Sequence, residues 1–431
     1  MPANYAHKKL LFITTRLFWP ADSGRKVVLW NYCKGIYEQL GYELYLYSFL
    51  ESDQDPSMLD SKPGFVKEIK LASCISALSK VCGLARAALV ERKEPFQCAL
   101  FYDQRNAKSL RAYVEQVKPD VVIVDMVRLS PYFKAISDYP CIKIIDFDDL
   151  LSKRYERQAN STRADGNTLG KYSEAVSGVL NSIVQIDSIK RLMFRIEANR
   201  VREAEIKYAH LYDASILISA VEGSEFAACV GDESVFVATM GAKVFDYVPE
   251  NKRNIQYDLA FVGNMGTAAN QDSLKLIIED ILPLIPDVSL RVIGICPREI
   301  TERYGKSSQV SFSGRIEDIR ESLLECKILF APLAYGTGIK TKILEAMGMG
   351  VPVVTNSVGI EGIGATSGKD CICADDPKTL SASTMRLLDN EKERETMGVS
   401  GLRYVRESHQ WEDSISEIGR CIKFCEMKRR A

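Results

Sequence analysis

A strand, a glycine loop, a helix and a second strand follow one another without a spare residue in the last third of the chain. Residues 328–332 are an apolar run typical of a buried strand, Gly336 and Gly338 allow a tight turn, and residues 339–348 carry apolar side chains at helical spacing. A second apolar strand, residues 352–355, comes directly after the helix. This order predicts a parallel βαβ unit, which restricts the surrounding domain to an α/β fold.

The start of the predicted helix is suited to an anion. Free N–H groups and the positive end of the helix dipole point at the loop, and this is the arrangement that binds phosphate. The residues expected to bind a diphosphate are Gly336, Thr337, Gly338 and Ile339. Glu345 lies further along the helix, where a carboxylate can accept hydrogen bonds from sugar hydroxyls. The alternatives are an ordinary tight turn and an ion pair between Glu345 and Lys342.

The sequence Glu345-Ala-Met-Gly-Met-Gly-Val-Pro-Val-Val resembles the signature of the retaining glycosyltransferases of the GT-B fold, the glycosyl transferases group 1. That signature reads Glu, seven residues, Glu-Ala-Met, a small residue, Gly, then Pro-Val-Val. The first Glu falls on Thr337, so this chain carries the Gly-Thr-Gly-Ile-Lys-x-Lys form of part of the family. The resemblance implies two Rossmann-like, doubly wound α/β domains that face each other across a cleft.

The length and composition of the chain agree with this fold class. A length of 431 residues favours two domains, and a net charge of −1 offers no broad basic surface for nucleic acid. No apolar run approaches the roughly 18 residues of a membrane span, and the N-terminus does not resemble a signal peptide, so we expect a cytoplasmic protein. The twelve cysteines and three histidines lack the spacing of a metal site, and no metal or cofactor is expected.

Apolar strands alternate with helices along both halves of the sequence. The predicted strands are residues 10–14, 41–48, 119–125, 142–146 and 213–219, then 259–263, 290–294, 310–314, 328–331 and 352–355. We expect an acceptor-side domain at 1–247, completed by a C-terminal helix at 408–431, and a nucleotide-sugar domain at 248–407. Residues 158–181 are polar and rich in small side chains, and they are expected to form a mobile loop.

The resemblance also assigns the donor contacts, with one departure. Relatives place an Arg and a Lys after the first strand of the second domain, whereas residues 261–270 contain no cation here. Lys340, Lys342 and Arg315 are the nearest cations that could offset a diphosphate. Further donor contacts are expected from Gly263 and Asn264, from Arg315 and Ile316 at the nucleobase, and from Gly24 in the first domain.

Carboxylates at strand ends of the first domain are candidates for the acceptor side. Asp125 ends one strand and the run Asp146-Phe-Asp-Asp149 ends another, so four carboxylates point to one rim. The expected catalytic residues are Asp148, Asp125 and Lys340. The alternative for Asp148 or Asp149 is a helix N-cap. The pattern Glu197, Arg200, Glu203 is expected to form an exposed charge ladder.

The resemblance implies transfer of a sugar from a nucleotide diphosphate sugar to a hydroxyl of a glycan or lipid-linked glycan, with retention at the anomeric carbon, in surface polysaccharide synthesis. Two alternatives stay open: a nucleotide-sugar epimerase or hydrolase of the same fold, and a non-catalytic nucleotide-binding partner subunit. The basic stretches 190–195 and 423–430 suggest a weak peripheral contact with the inner face of a membrane.

Overall fold

The computed structural model describes residues 8–21, 24–51, 54–89, 93–160, 187–231, 233–316, 318–336 and 338–430. The chain divides into two compact units. Unit 1 comprises Met1–Gly241 and Trp411–Ala431, and unit 2 comprises Ala242–Gln410.

Unit 2 begins before the boundary expected at residue 248, because the preceding segment is bonded to unit 2. The backbone N–H of Ala242 donates to the carbonyl of His409 at 2.9 Å, and that of Phe245 donates to Gly348 at 2.9 Å. Glu250 pairs with the buried side chain of Arg394 at 2.5 Å. The segment from Ala242 to Glu250 therefore belongs to unit 2.

Within the described residues, unit 1 is built on a seven-stranded parallel sheet of order β3-β2-β1-β4-β5-β6-β7. Strand β1 lies between β2 and β4, so the direction of winding reverses beside β1. Ligands of such sheets bind outside the carboxyl ends of the strands at this reversal. The strands are β1 (Lys9–Thr14), β2 (Glu43–Ser48), β3 (Val66–Leu71), β4 (Val121–Asp125), β5 (Ile142–Asp148), β6 (Ala214–Leu217) and β7 (Val235–Val237).

Unit 2 repeats this plan with a parallel sheet that has six strands in the described part of the chain, in the order β10-β9-β8-β11-β12-β13. Here the winding reverses between β8 and β11. The strands are β8 (Tyr257–Val262), β9 (Leu290–Ile293), β10 (Val310–Phe312), β11 (Cys326–Ala331), β12 (Val353–Thr355) and β13 (Ile372–Cys373). The two sheets confirm the predicted α/β class with two Rossmann-like domains.

Helices connect the strands in both units. Those of unit 1 are α1 (Gly24–Glu38), α2 (Ala77–Leu89), α3 (Phe96–Phe101), α4 (Gln104–Val117), α5 (Met126–Leu129), α6 (Phe133–Ile136), α7 (Leu151–Asn160), α8 (Asp187–Leu211) and α9 (Ala220–Val230). Those of unit 2 are α10 (Ala268–Lys275), α11 (Arg298–Tyr304), α12 (Ile319–Leu324), α13 (Thr341–Gly348), α14 (Ser357–Ile360), α15 (Pro377–Asp389) and α16 (Glu391–Ser408). Short 3₁₀ turns lie at Pro56–Ser61, Ser130–Tyr132, Glu250–Lys252 and Leu282–Leu284, and a π-helical stretch, Leu276–Ile281, continues α10.

The last helix, α17 (Trp411–Arg430), returns to unit 1. It packs on α1, where a Cβ added to Gly35 would lie 2.3 Å from Ile415 Cγ1. The rings of Trp411 and Tyr32 pack edge to face with their centroids 6.2 Å apart, a distance usual for such pairs. The C-terminal helix was expected from residue 408, but Ser408 ends α16.

Three strands were not anticipated, namely β3, β7 and β13. Each lies at or next to a sheet edge, and β7 and β13 are only a few residues long, so little apolar sequence marks them. The mobile loop expected at 158–181 begins inside α7, and residues 161–181 lie outside the described residues.

The close packing of α16 against the segment that follows α13 depends on Gly398. A Cβ added there would lie 2.2 Å from the carbonyl oxygen of Gly350. We expect Gly398→Ala to lower the free energy of unfolding of unit 2 by about 1–3 kcal/mol, although alanine favours a helix, because the backbones must separate. Chemical denaturation followed by circular dichroism measures this loss.

The neighbouring exposed residue on the same helix, Val399, provides the matched control, and Val399→Ala should leave the stability within about 0.5 kcal/mol of the parent. All three tryptophans, Trp19, Trp30 and Trp411, lie in unit 1, so their fluorescence serves as a reference for that unit. A Gly398→Ala protein as stable as the parent would contradict the close contact.

Candidate functional site

The loop between β11 and α13 holds the first candidate site, in unit 2. Gly338 has φ +64°, a left-handed conformation that side chains with a Cβ rarely adopt. The start of the loop is held by Asn356, whose side chain accepts from the N–H of Leu333 at 3.1 Å and donates to its carbonyl at 2.8 Å. The start of the loop is therefore held in place, and Gly338 has a left-handed conformation that glycine adopts without strain. Thr337, an expected diphosphate contact, lies outside the described residues.

Lys340 directly precedes α13 and folds back over the loop. Its Nζ donates to the carbonyl oxygen of Gly338 at 2.5 Å, and a Cβ added to Gly336 would lie 3.1 Å from its Cε. Ile339 beside it is partly buried. The ammonium group therefore lies at the N-terminal end of α13, where the helix dipole adds to its positive potential.

Lys342 points away from Glu345 and toward the end of β8. Its Nζ donates to the carbonyl oxygen of Val262 at 2.9 Å and to Asn270 Oδ1 at 3.2 Å, and it lies 4.5 Å from the ring centroid of Phe261. Burial, and then the like charge of Lys340, lower the pKa of Lys342 to about 8. Lys342 thus brings a positive charge to the segment after β8, since residues 261–270 contain no Lys or Arg of their own.

Glu345 lies on the same helix without a hydrogen-bond or ion-pair partner among the described residues. Helical spacing allowed an ion pair between Glu345 and Lys342. The two side chains do not form it, because Lys342 points to the end of β8. Burial raises the pKa of Glu345 to about 7. A half-buried carboxyl that has no partner among the described residues is available to a ligand.

The carboxyl ends of β8, β9 and β10 lie beside these residues at the edge of the sheet. A Cβ added to Gly294 would lie only 2.2 Å from the carbonyl oxygen of Gly263, so the two strand ends are in close contact. Asn264 is exposed and accepts from the N–H of Gly266 at 2.8 Å. After β10, Arg315 is exposed and Ile316 is partly buried.

A second candidate site, in unit 1, is centred on Arg25 in the first turn of α1, next to the predicted contact Gly24. The Arg25 guanidinium donates to Asp125 Oδ1 at 2.6 Å, to Asp146 Oδ2 at 2.7 Å and to Asp148 Oδ1 at 3.0 Å. Only 7% of its side chain is exposed. Three of the four strand-end carboxylates are therefore brought together as predicted, around an arginine that was not predicted.

The three carboxyl groups differ in pKa and in access to solvent. Burial disfavours ionisation of Asp125, but Arg25 and the hydrogen bonds from Thr15 outweigh it and hold its pKa below the usual value. Burial raises the pKa of Asp146. It also raises the pKa of Asp148 to about 7, and the other carboxylates add to this rise. Asp125 is completely buried, whereas 16% of the Asp148 side chain is exposed.

The end of β5 turns Asp148 toward this cluster. The pairing register with β6 shifts between Asp146 and Asp148, and Asp148 has φ +65°. Such irregularities redirect a side chain at the edge of a sheet, and aspartate is among the residues that tolerate this conformation. Asp148 is therefore the most exposed of the three carboxyl groups, while Asp125 is bonded to Arg25 and Thr15.

The charged residues of α8 correct one expectation. Glu197 is not part of an exposed ladder, because it is buried and accepts from the N–H groups of Phe96 and Gln97 at 3.0 and 2.9 Å, which caps α3. Burial raises its pKa to about 7. Glu205 from the same helix accepts from the N–H of Ser152 at the start of α7 at 3.2 Å. Asp149, considered as an N-cap, forms an ion pair with Arg154 at 2.5 Å.

Comparison with known proteins agrees with these features. Residues 256–390 match the family model described as Glycosyl transferases group 1. A relative from Klebsiella pneumoniae, described as an uncharacterized 44.6 kDa protein in cps region, is 22% identical over 173 residues, or 37% of this chain and 45% of the relative. The chain thus matches less than half of that relative's length. The residues that match the family model all lie in unit 2.

Solved structures share the whole fold at low identity. Sucrose-phosphate synthase from Thermosynechococcus elongatus has a TM-score of 0.70 at 12% identity and covers 98% of this chain and 100% of its own. Anabaena HepE in complex with UDP and glucose has a TM-score of 0.61 at 12% identity, covering 97% and 100%. A mutant of S. aureus TarM, in complex with Fondaparinux, alpha-GlcNAc-glycerol and UDP, has a TM-score of 0.64 at 10% identity, covering 96% and 99%. The two units form a GT-B fold.

Arg25 is expected to be essential to unit 1, because its removal leaves carboxylates buried without a cation. We expect Arg25→Met to lower the free energy of unfolding by about 3 kcal/mol or more near neutral pH. The difference in the free energy of unfolding between the two proteins should become smaller in acid. In the parent, the pKa of Asp125 lies below its unfolded value, so the stability that its charged form contributes is lost as pH falls. In the variant, the buried carboxyl groups become protonated and no longer need a cation. Denaturation followed by tryptophan fluorescence, which reports unit 1, measures both effects.

Arg298 provides the control, since its side chain is 89% exposed and pairs with Glu302 on the surface of α11. Arg298→Met should change stability by less than about 1 kcal/mol. Equal stability of the Arg25→Met and Arg298→Met proteins across the pH range would contradict the role given to the cluster.

Proposed function

We propose that this chain is a glycosyltransferase that transfers a sugar from a nucleoside diphosphate sugar to a hydroxyl of a glycan or lipid-linked glycan acceptor, with retention at the anomeric carbon. The observation that carries the proposal is the group formed by Gly338, Lys340, Lys342 and Glu345 at the start of α13. It combines a fixed loop, two cations and an unpartnered carboxyl in one site.

Lys340 and Lys342 would neutralise the negative charge of the diphosphate. Relatives that share the motif have an Arg and a Lys after the first strand of this domain, and residues 261–270 lack both. Lys342 donates to the last residue of that strand, and Lys340 lies over the glycine loop. Their charges, with the N-terminus of α13, oppose the charge of a diphosphate held at the loop. The scheme uses no metal ion and no cofactor besides the donor sugar.

Glu345 is assigned to the donor's ribose. Its carboxyl has no partner among the described residues and is half-buried. Two ribose hydroxyls can donate to one ionised carboxylate, and these bonds offset the desolvation that raises its pKa. Gly263 and Asn264 would line the diphosphate, and Arg315 and Ile316 would flank the base. HepE and TarM were solved with UDP, which makes uridine the first base to test.

On the acceptor side, Asp148 is the carboxyl that would orient the hydroxyl. Its oxygen is held by Arg25 at 3.0 Å, and it remains partly exposed. Asp125 would act through Arg25 and not by contact with the acceptor, because it is fully buried. The structure of TarM contains saccharide ligands, and the relative in the cps region supports a polysaccharide product.

In the proposed reaction the bond from the anomeric carbon to the diphosphate oxygen breaks, and the bond from that carbon to the acceptor oxygen forms on the same face. The acceptor's proton passes to the leaving phosphate oxygen. Lys340, Lys342 and the helix N-terminus stabilise the negative charge that develops on this oxygen. Placement of the two substrates supplies most of the remaining acceleration.

Nucleotide binding tests the donor site. We expect UDP, among UDP, GDP, ADP, dTDP and CMP, to raise the thermal midpoint, because a ligand of the folded state stabilises it. Since Glu345 must be ionised to accept from ribose, the affinity of the parent relative to Glu345→Gln should increase from about pH 6 to about pH 8. The diphosphate titrates in both proteins, so their ratio isolates Glu345.

Gly338→Val should abolish the stabilisation by UDP, because valine is strained at φ +64°. Gly64→Val provides the control, since nothing lies within 4 Å of a Cβ added at that position. A Glu345→Gln protein that binds UDP like the parent at every pH would contradict the site, and no response to any nucleotide would contradict the proposed function.

Asp148 is tested by turnover. We expect Asp148→Asn to lower kcat for sugar transfer by about 10²-fold or more while UDP binding is unchanged, because the acceptor, not the donor, loses a partner. Analysis of the products formed from a radiolabelled donor measures this transfer. The same analysis distinguishes a glycosyltransferase from the alternative functions. Release of free or epimerised sugar without an acceptor would favour an epimerase or hydrolase, and UDP binding without any turnover would favour a non-catalytic partner subunit.

A further inference from the structure

The turn between β5 and α7 holds Asp148 in a strained backbone conformation. Asp148 has φ +65°, and a residue with a Cβ keeps such a conformation only where its surroundings fix it. On the strand side, its carbonyl oxygen accepts from the N–H of Ile218 at 2.9 Å, and its own N–H donates to Asp146 Oδ1 at 3.1 Å. The direction of Asp148 therefore depends on what holds the other side of the turn, where α7 begins.

The start of α7 is held by carboxyl groups from two other helices. The first N–H groups of a helix have no partner within it, and Leu150, directly before α7, has no side-chain acceptor. Glu222 of α9 accepts from the N–H of Leu150 at 3.2 Å. Glu205 of α8 accepts from the N–H of Ser152 at 3.2 Å and from its hydroxyl group. Both glutamates are buried, so water does not compete for these bonds.

Very little chain separates these hydrogen bonds from Asp148. One residue lies between Asp148 and Leu150, and three lie between Asp148 and Ser152. A displacement of the start of α7 must therefore be taken up by the backbone angles of Asp148 and its neighbours. The Asp148 carboxyl, which Arg25 holds at 3.0 Å, would move with them.

We infer that Glu205 is a positioning residue for Asp148 and that Glu222 supports it. By holding the start of α7, the two glutamates keep the Asp148 carboxyl beside Arg25 and directed at the acceptor. Neither glutamate touches a substrate in this scheme, because both are buried and bonded to the backbone at the start of α7. The inference rests on the proposed function, in which Asp148 orients the acceptor hydroxyl.

The role of Glu205 needs its hydrogen bonds with Ser152 and not a negative charge. Burial raises the pKa of Glu205 to about 8, and the hydrogen bonds from Ser152 oppose this rise. Glutamine preserves both contacts, since its carbonyl oxygen can accept from the N–H of Ser152 and its amide can donate to the hydroxyl oxygen. Glu205→Gln therefore keeps the start of α7 in place, whereas Glu205→Ala releases it.

Glu197 provides a matched control on the same helix. Like Glu205 it is buried, and it accepts from the N–H groups of Phe96 and Gln97 at the start of α3 at 3.0 and 2.9 Å. Glu197→Ala thus removes a buried helix cap, as Glu205→Ala does. The difference is that α7 follows Asp148 directly in the chain and α3 does not.

The kinetics of sugar transfer test the inference. We expect Glu205→Ala to lower kcat by about tenfold or more, because the acceptor's partner is displaced. The rise in thermal midpoint with UDP should stay as in the parent, since the donor site lies in unit 2. Glu205→Gln should restore kcat to within about threefold of the parent. Glu197→Ala should lower the stability of unit 1 as Glu205→Ala does, measured by tryptophan fluorescence, but leave kcat within about twofold of the parent.

Equal losses of kcat in Glu205→Ala and Glu197→Ala would overturn the inference, since both would then act through stability alone. A Glu205→Gln protein as slow as Glu205→Ala would also overturn it, because the contacts with Ser152 would not be what matters. If Glu205→Ala does not fold, Ser152→Ala takes its place, since it removes only the hydroxyl contact. Its kcat should fall by about threefold, and a kcat equal to that of the parent would overturn the inference.

Hydrogen exchange provides a test that needs no activity. We expect the amides of Asp148 and Leu150 to exchange about tenfold faster in Glu205→Ala than in the parent, and at the parent's rate in Glu197→Ala. Unchanged exchange in Glu205→Ala would overturn the inference. A parent that transfers no sugar, with exchange as expected, would contradict the proposed function, while the role of Glu205 in holding Asp148 would stand.

Discussion

The interaction on which unit 1 depends is the contact of one guanidinium with three carboxylates. Arg25 links the start of α1 to the carboxyl ends of β4 and β5 through Asp125, Asp146 and Asp148. Through Asp125 it also reaches Thr15, directly after β1. A single cation cannot neutralise three buried carboxylates, so the charge that remains must be relieved by protonation. The raised pKa of Asp148 agrees with this, and Asp148 is the most exposed of the three carboxyl groups.

Unit 2 has the opposite imbalance at the corresponding reversal of its sheet. Two lysines lie near the end of β8 and the start of α13, and the carboxyl of Glu345 turns to neither of them. The burial of neither group is fully compensated by an opposite charge. Burial therefore lowers the pKa of Lys342 and raises that of Glu345. Such unrelieved electrostatics is common where a protein is shaped for a ligand.

Sequence alone was sufficient for the fold class and for the position of the glycine loop, because both depend on local patterns. The apolar run of β11, the glycines and the helical spacing of α13 lie within one short segment. Long-range pairing was not accessible. In the sequence, Arg25 is an ordinary residue of a first helical turn. Its carboxylate partners lie on β4 and β5, about a hundred positions away in sequence, and only the fold brings them to it. Topology offered one signal, since Arg25 follows the loop after β1 and β4 lies next to β1.

Burial was the second property that the sequence did not contain. Glu197 sits in a run of charged residues, and only the approach of α3 shows that it caps a helix. In the same way, the spacing of Lys342 and Glu345 permitted an ion pair, and the carbonyl oxygen at the end of β8 competes for the ammonium. Helical spacing shows which residues can meet, whereas tertiary contacts decide which do.

The charges at the start of α13 also couple a ligand to protons. In the free protein, burial raises the pKa of Glu345 to about 7 and lowers that of Lys342 to about 8, so both groups titrate closer to neutral pH than they would in water. A diphosphate beside Lys342 favours the ammonium form, and hydroxyl donors at Glu345 favour the carboxylate form. Binding of a nucleotide in the proposed site would therefore release a proton at Glu345 and take one up at Lys342. A ligand that contacts only the loop would produce the second change without the first, so the difference in proton release between the parent and Glu345→Gln separates ribose recognition from phosphate recognition.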